Sequence, residues 1–392
     1  MQIGMITACY KPIVNGVTRM VSLYKSELEA LGHEVTVFTL GRPDPDGDEP
    51  GVIRSPGLPL PLGYHLAPRY TARARAHLRQ MDILHCHHLL MGLELAYRYG
   101  RSPIIYTNHT RYDLYTGNYL PQAVADRLLR RFWPRLTALA DLIVTPSASM
   151  RQVMRSFGVR RPIKVVENGV DLRPFHTPPD PFTKTKLGLP ETAVVAVYVG
   201  RLSPEKNLTC LLDQFAQARQ DCPDLHLLLL GQGPLAAKLR QQANGLGVET
   251  AVHFTGELPN EQVANHLTAA DFFVTASVSE VHPLTLIEAL AAGLPIIAPI
   301  APGMVDMVIP YQTGLLTAPA ELAESMRLLV RQPDQRRRMA LAARQASYRY
   351  DIRRTVQHSL ALYERLCQAQ PNQSCRRLLP KAGRRIARSL YT

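Results

Sequence analysis

No apolar run in this sequence is long enough to cross a bilayer. Its longest uncharged stretch, Ala289 to Val305, carries Gly293, Pro295, Pro299, Pro302 and Gly303. That density of breakers excludes a spanning helix, which needs about 20 apolar residues. The six cysteines, Cys9, Cys86, Cys210, Cys222, Cys367 and Cys375, show no C-x-x-C spacing. The opening Met1-Gln2-Ile3-Gly4-Met5-Ile6 lacks the basic region and apolar core of a secretion signal. Reduced thiols in a cytoplasmic chain are therefore expected. No Gly-x-Gly-x-x-Gly follows the first strand-like run, which argues against a dehydrogenase. Neither a repeat of 20–50 residues nor a heptad or collagen period is present, so solenoids and fibrous folds are excluded.

What is present is a chain of 392 residues, 46% of them apolar, with a net charge of +13. That length exceeds what one core fills, and predicts two domains. The charge is uneven: residues 201–310 sum to −6, residues 51–180 to +10 and residues 331–392 to +12. The segment Arg376 to Arg388 contains no acid. It suits either an anionic surface or a solvated basic end. A nucleic-acid partner is not expected, since stacking aromatics should interleave such a tail and only Tyr391 is there.

The order of elements reads as strand, loop, helix, strand from the first residue. Gln2 to Thr7 is an apolar run without alternation, as in a strand buried on both faces. Cys9 to Gly16 is a loop, and Val17 to Leu31 has helical spacing closed by Gly32. Further strands are expected at His33–Leu40, Ile83–Leu84, Ile104–Tyr106 and Leu142–Thr145. After a linker-like Thr177 to Phe182, a second series follows at Ala193–Val199, Leu225–Leu230, Val252–Thr255, Phe272–Thr275 and Pro295–Ala298. Helical segments lie between them. The pattern predicts an α/β protein with two doubly wound, parallel-sheet, Rossmann-like domains facing a cleft at the carboxyl ends of their strands. The expected divisions are 1–175 for an acceptor domain and 176–350 for a nucleotide-sugar domain. A helix over 351–370 would cross back to the first domain, followed by a basic tail over 371–392.

Two strand-to-helix turns carry the strongest chemical signals. In Ser279 to Pro295, Glu280 lies in the loop and Glu288 on the helix expected over Thr285–Ala292. The helix head, Leu284 and Thr285, offers free N–H groups suited to a diphosphate, and carboxylates accept from sugar hydroxyls. In Val199-Gly200-Arg201-Leu202-Ser203-Pro204-Glu205-Lys206, Gly200 permits a tight turn while Arg201 and Lys206 supply two cations for phosphate. Read alone, the first could be two surface acids and the second an exposed basic loop.

Taken together, Gly200-Arg201-x4-Lys206, Glu280 with Glu288, Gly293-x-Pro295, Asn168-Gly169-Val170-Asp171 and Gly231-Gln232-Gly233-Pro234 resemble the family-four retaining glycosyltransferases of the GT-B fold. The resemblance spans about Met1 to Arg365. It implies that Arg201 and Lys206 bind a donor diphosphate, that Glu288 holds the nucleotide ribose, and that Glu280 lies against the donor sugar. It further implies that Asn15-Gly16-Val17 approaches the phosphates, with Gly16 among the donor-binding residues. Retention without a metal and without a cofactor is the chemistry it implies. Tyr106-Thr107-Asn108-His109-Thr110-Arg111-Tyr112-Asp113-Leu114-Tyr115 resembles the subgroup that glucosylates diacylglycerol. There His109 would contact the sugar near its reacting centre, and Tyr112 and Tyr115 would shape the acceptor pocket. One departure stands out: relatives commonly carry Phe-Gly or Gln-Gly where this chain has His282-Pro283, and proline has no N–H to donate.

His85-Cys86-His87-His88 resembles a metal cluster, but alternation along a strand places His85 and His87 on one face and His88 on the other. Cleft-wall groups are expected there rather than a metal, because zinc needs four converging ligands. Between Pro121 and Asp141, Val124, Leu128, Phe132, Leu136 and Leu139 share one helical face. Arg127, Arg130, Arg131 and Arg135 share another, with Trp133 at the border. Either this is an interfacial helix docking on an anionic membrane, or a surface helix packed on its own sheet. The combined expectation is a peripheral enzyme on the inner face of the cell membrane, moving glucose from UDP-glucose to diacylglycerol or a similar lipid. The alternatives are a soluble GDP-mannose-dependent transferase making a glycan, and a nonenzymatic nucleotide-sugar-binding protein.

Overall fold

A computed structural model describes residues 1–45, 47–60, 63–115 and 121–369. The chain divides into two units. The first comprises Met1–Asn168 and the C-terminal segment from Ile352, and the second Gly169–Asp351. The basic tail falls outside the described residues.

Unit 1 contains β1 (Gln2–Ile6), β2 (Glu34–Leu40), β3 (Val52–Ser55), a small antiparallel hairpin of β4 (Leu58–Pro59) and β5 (His65–Leu66), then β6 (Ile83–Cys86), β7 (Ile104–Thr107), β8 (Leu142–Thr145) and β9 (Ile163–Val165). Apart from the hairpin, its strands form one parallel sheet in the order β3-β2-β1-β6-β7-β8-β9. The central strands are buried along almost their whole length, as a sheet covered on both faces requires. The helix Gly16–Ala30 starts at an Asn15 cap, whose side chain accepts from the N–H groups of Val17 and Thr18. The helix Ile352–Ala369 buries Ile352, Thr355, Val356, Ser359 and Tyr363 at steps of three and four. Tyr24 and Ser359 hydroxyls meet at 2.8 Å, and Tyr363 reaches His85 Nδ1 at 2.6 Å.

Unit 2 repeats the plan with β10 (Val194–Val199), β11 (Leu225–Leu230), β12 (Val252–Gly256), β13 (Phe272–Val274), β14 (Ile296–Pro299) and β15 (Gly314–Thr317). All six are parallel, in the order β12-β11-β10-β13-β14-β15. Its core joins Val194, Ala196 and Tyr198 of β10 to the buried face of the helix Leu208–Asp221, namely Leu208, Leu211, Leu212, Phe215 and Ala218. Thr177–Phe182 is not a free linker. The Phe182 N–H donates to the Asn265 carbonyl, Thr268 Oγ1 donates to the Phe182 carbonyl, and the Phe182 ring stacks on His266 at 4.3 Å. The chain instead enters unit 2 at Gly169, where the Val170 N–H donates to the Tyr350 carbonyl.

Both sheets reverse direction of growth next to their first strand, between β1 and β6 and between β10 and β13. Loops leaving the two strands at such a point diverge onto opposite faces, and the crevice they leave is where open α/β sheets take ligands.

Candidate active site

In unit 2 the switch point forces the loop after β10 against the loop after β13. Lys206 closes the short helical turn Pro204–Lys206, and its Nζ donates to Glu280 Oε1 at 2.5 Å. Ser277 Oγ donates to the same oxygen at 2.9 Å. Burial acts to raise the Glu280 pKa. The Lys206 charge and the two hydrogen bonds outweigh it and hold the carboxyl below its usual range. Ser279 Oγ donates to the Glu205 carbonyl at 3.2 Å, tying the loops a second time. Arg201 is exposed and makes no ion pair among the described residues. The Tyr198 hydroxyl donates to the Arg201 carbonyl at 3.2 Å. Burial, with Glu280 and Glu205 nearby, pushes that phenol well above its usual pKa, so it remains a neutral donor.

Glycines make this approach possible. A Cβ on Gly231 would lie 2.1 Å from the Gly200 carbonyl oxygen, and φ at Gly231 is +141°. Gly303, at φ +87°, runs beneath the site loop, and a Cβ there would meet the carbonyls of Val281 and Glu280 at 2.6 and 2.7 Å. In the sequence no motif marks Ser277 or Tyr198 as part of this site, and Gly303 stands out only as one breaker of the Ala289–Val305 stretch.

The helix after this loop spans Leu284–Ala291, one residue earlier than expected. Pro283 is its N-cap and no side chain caps it, so its first N–H groups are not used up by a cap as those of Gly16–Ala30 are. The proline's missing N–H falls at the cap, leaving the N–H groups of Leu284 and Thr285 in place. Leu284 is buried and Thr285 partly so, while Glu288 is buried at 1% exposure one helical turn further on. His282 turns inward, edge-on to Tyr350 at 5.4 Å, and burial lowers its pKa to about 3. It is a neutral packing group.

In unit 1, β6 and β7 run side by side, with Cys86 opposite Tyr106, which brings the residues just past them together. His87 Nδ1 and His109 Nε2 are 3.1 Å apart. His85 sits on the His87 side, its rings 4.1 Å from that imidazole, and bonds Thr107 Oγ1 and the Tyr363 hydroxyl at 2.6 Å each. His88 lies on the other face, where its Nδ1 accepts from the Ala8 N–H at 3.1 Å. Burial lowers the pKa of His85 and His109 to about 3 and of His88 to about 4. Gly16 is exposed, with open space where a side chain would be. Tyr112 packs edge-on to Trp133 at 5.7 Å; the side chain of Tyr115 falls outside the described residues.

Trp133 is corrected by the structure. It is not at the border of the exposed faces of the helix Gln122–Thr137 but buried at 1%, between Tyr112 and Phe157. Ala125, Trp133, Leu136 and Thr137 form the buried face. Val124, Leu128 and Phe132 stay exposed at 45, 40 and 38%, and Arg127, Arg130 and Arg131 are exposed beside them. Arg130, Arg131, Arg135, Arg160 and Arg161 line a cavity of about 940 Å³. Among the described residues no helix is long and apolar enough to cross a membrane.

Comparison with known proteins puts a class on this geometry. Residues 14–173 match the model for Glycosyltransferase Family 4, and residues 180–346 that for Glycosyl transferases group 1. The Anabaena Alr3699/HepE structure in complex with UDP and glucose superposes with a TM-score of 0.75 at 21% identity, covering 93% of this chain and all of the other. Sucrose-phosphate synthase of Thermosynechococcus elongatus gives 0.76, covering 94% of this chain and all of the other, also at 21%. These likenesses establish the GT-B fold. An alpha-monoglucosyldiacylglycerol synthase of Streptococcus pneumoniae (strain ATCC BAA-255 / R6) is 31% identical, over 76% of this chain and 71% of its own. The synthase of that name from Acholeplasma laidlawii is 30% identical, over 76% of this chain and 80% of its own. The chain belongs to the family-four glycosyltransferases. A Mycobacterium tuberculosis (strain ATCC 25177 / H37Ra) GDP-mannose-dependent alpha-(1-6)-phosphatidylinositol dimannoside mannosyltransferase is 27% identical, over 86% of this chain and 90% of its own.

Proposed function

We propose that this protein is a retaining, metal-independent hexosyltransferase that moves glucose from UDP-glucose to a membrane lipid such as diacylglycerol. The observation that carries the reading is the Lys206–Glu280 pair beside the uncapped head of the Leu284–Ala291 helix. It puts an ammonium, a carboxylate and free N–H groups at one switch point. In this reading the donor diphosphate takes Lys206 and Arg201 as counter-charges and the N–H groups of Leu284 and Thr285 as donors. Glu280 accepts from sugar hydroxyls and Glu288 from the ribose. As the glycosidic bond to the diphosphate breaks, negative charge grows on the leaving oxygens, and these fixed positive groups offset it without reorganisation. Gly16 leaves open backbone for the phosphates, and His109 serves the sugar. No residue is assigned as a covalent nucleophile.

For the acceptor, the support is the names of the two diacylglycerol-acting relatives and the exposed Val124-Leu128-Phe132 stripe with Arg127, Arg130 and Arg131 beside it. Apolar insertion plus about 1 kcal/mol per basic residue near an anionic leaflet suffices for reversible docking. Tyr112 and Tyr115 are assigned to the acceptor and the enzyme to the inner face of the cell membrane. The mannosyltransferase relative favours a second reading, transfer from GDP-mannose. A thermal-shift panel of UDP, GDP and their sugars decides the donor, since binding raises the melting temperature by mass action. Labelled transfer to diacylglycerol in vesicles decides the acceptor. Stabilisation by GDP alone, or no lipid product, would overturn the first reading.

A further inference from the structure

The imidazoles beyond β6 and β7 form a contact whose polarity the structure decides. His87 is 2% exposed, and its Nε2 has no hydrogen-bond partner among the described residues. Its Nδ1 faces His109 Nε2 at 3.1 Å, with the rings 15° from parallel. Burial and the neighbouring imidazoles keep both rings neutral at pH 7, so each carries one proton and one of them donates. If His109 donated from Nε2, the His87 proton would sit on Nε2, a buried N–H with no acceptor. Orphaned buried N–H groups are rare, and rarer than buried acceptors left without a donor. If His87 donates from Nδ1, its Nε2 is left as a bare nitrogen. The His109 proton then lies on Nδ1, which makes no hydrogen bond among the described residues and belongs to a residue only partly buried. His85 cannot take the His87 contact over, because Thr107 and Tyr363 hold both its nitrogens.

We propose that His87 is a positioning residue: by donating from Nδ1 to His109 Nε2 it fixes His109 as the Nδ1–H tautomer, a hydrogen-bond donor toward a sugar oxygen. The role of the donor rests on the assignment of His109 above; the tautomer itself does not. Long-range proton–nitrogen correlation spectra of the full chain, labelled at histidine nitrogen and assigned with His109→Gln, read it directly. His109 is expected to show a protonated Nδ1 and a bare Nε2. His87→Asn, whose amide nitrogen can donate from nearly the same place, should keep that pattern and hold kcat within about threefold. His87→Leu removes the donor and should release His109 to the Nε2–H form favoured by free imidazole. It should also lower kcat about tenfold with little change in donor KM, as expected for loss of one hydrogen bond. A wild-type His109 protonated on Nε2, or a leucine variant with unchanged tautomer and kcat, overturns the proposal. If the leucine variant does not fold, the wild-type spectrum and the asparagine variant decide it. Full activity in His109→Ala with the expected tautomer would refute the sugar assignment and leave the tautomer standing.

Discussion

Lys206→Ala separates a structural from a catalytic role for the pair at the unit 2 switch point. Both side chains are about one-fifth exposed, at 21% for Lys206 and 18% for Glu280. Removing the ammonium leaves a largely desolvated carboxylate held by Ser277 alone among the described residues. A charge-assisted hydrogen bond lost at such a site costs about 2 kcal/mol, or a fall of roughly 4–8 °C in melting temperature for a unit of this size. The catalytic cost is larger. One unit charge about 4 Å from a developing anion contributes about 4 kcal/mol at an effective dielectric of 20, so kcat/KM should fall about a thousandfold, as for a lost oxyanion donor. Lys206→Arg keeps the charge and should recover most of both. The assay is nucleoside-diphosphate release with lipid vesicles, run beside calorimetry at pH 7. A Lys206→Ala protein that melts several degrees lower yet turns over within fivefold of wild type would make the pair a structural clasp and sink the assignment of the diphosphate.

Other perturbations follow from the same geometry. Gly231→Ala meets the Gly200 carbonyl at 2.1 Å in a strained backbone region; it should cost about 3 kcal/mol or more and abolish nucleotide-induced stabilisation, read by thermal shift. His85, His87, His88 and His109 all have folded pKa values below the unfolded value near 6.5. Their neutral packing therefore stabilises above pH 6.5 and is lost as pH falls toward about 4 for His88 and about 3 for His85 and His109, with His87 shifted in the same direction by its burial. Each contributes a slope of up to about 1.4 kcal/mol per pH unit, so melting temperature should drop steeply from pH 6.5 to 5. Unchanged melting over that window would mean that the cluster is charged or hydrated. For Glu280 the depressed pKa gives stability present above about pH 4.5, and the difference from Glu280→Gln should shrink as pH falls below it. Phe132→Glu with Leu128→Glu should abolish flotation with anionic vesicles at low salt while leaving the melting temperature within about 1 °C, since both side chains face outward. Flotation unchanged in that double variant would move membrane docking elsewhere.

Central strands were legible because burial on both faces leaves an unmistakable composition. Val194–Val199 is an unbroken apolar run and Leu225–Leu230 is apolar but for His226, and their limits differ from expectation by a residue at most. Besides the small hairpin of β4 and β5, the strands not legible in the sequence are β3, β9 and β15, each at the edge of its parallel sheet. Their sequences, Val-Ile-Arg-Ser, Ile-Lys-Val and Gly-Leu-Leu-Thr, are short and half-covered, so neither continuity nor alternation marks them. Thr177–Phe182 misled for a related reason. Proline sets local backbone angles, but only the partners at Asn265, Thr268 and His266 decide whether the segment hangs free or docks.

At the site, sequence by itself determined which chemical groups sit at the carboxyl ends of strands: Arg201 and Lys206 after β10, Glu280 after β13, His87 after β6 and His109 after β7. Loop position follows from strand position, and strand position from hydrophobic pattern. Only the tertiary structure decided who meets whom. Strand order alone makes β10 and β13 neighbours across 72 intervening residues, and so turns a lysine and a glutamate 74 positions apart into an ion pair. The same long-range packing buried Trp133, turned His282 inward to Tyr350 and left Phe132 in solvent. All three are apolar or amphipathic rings, and local sequence carries no information about which side of its own element will be covered.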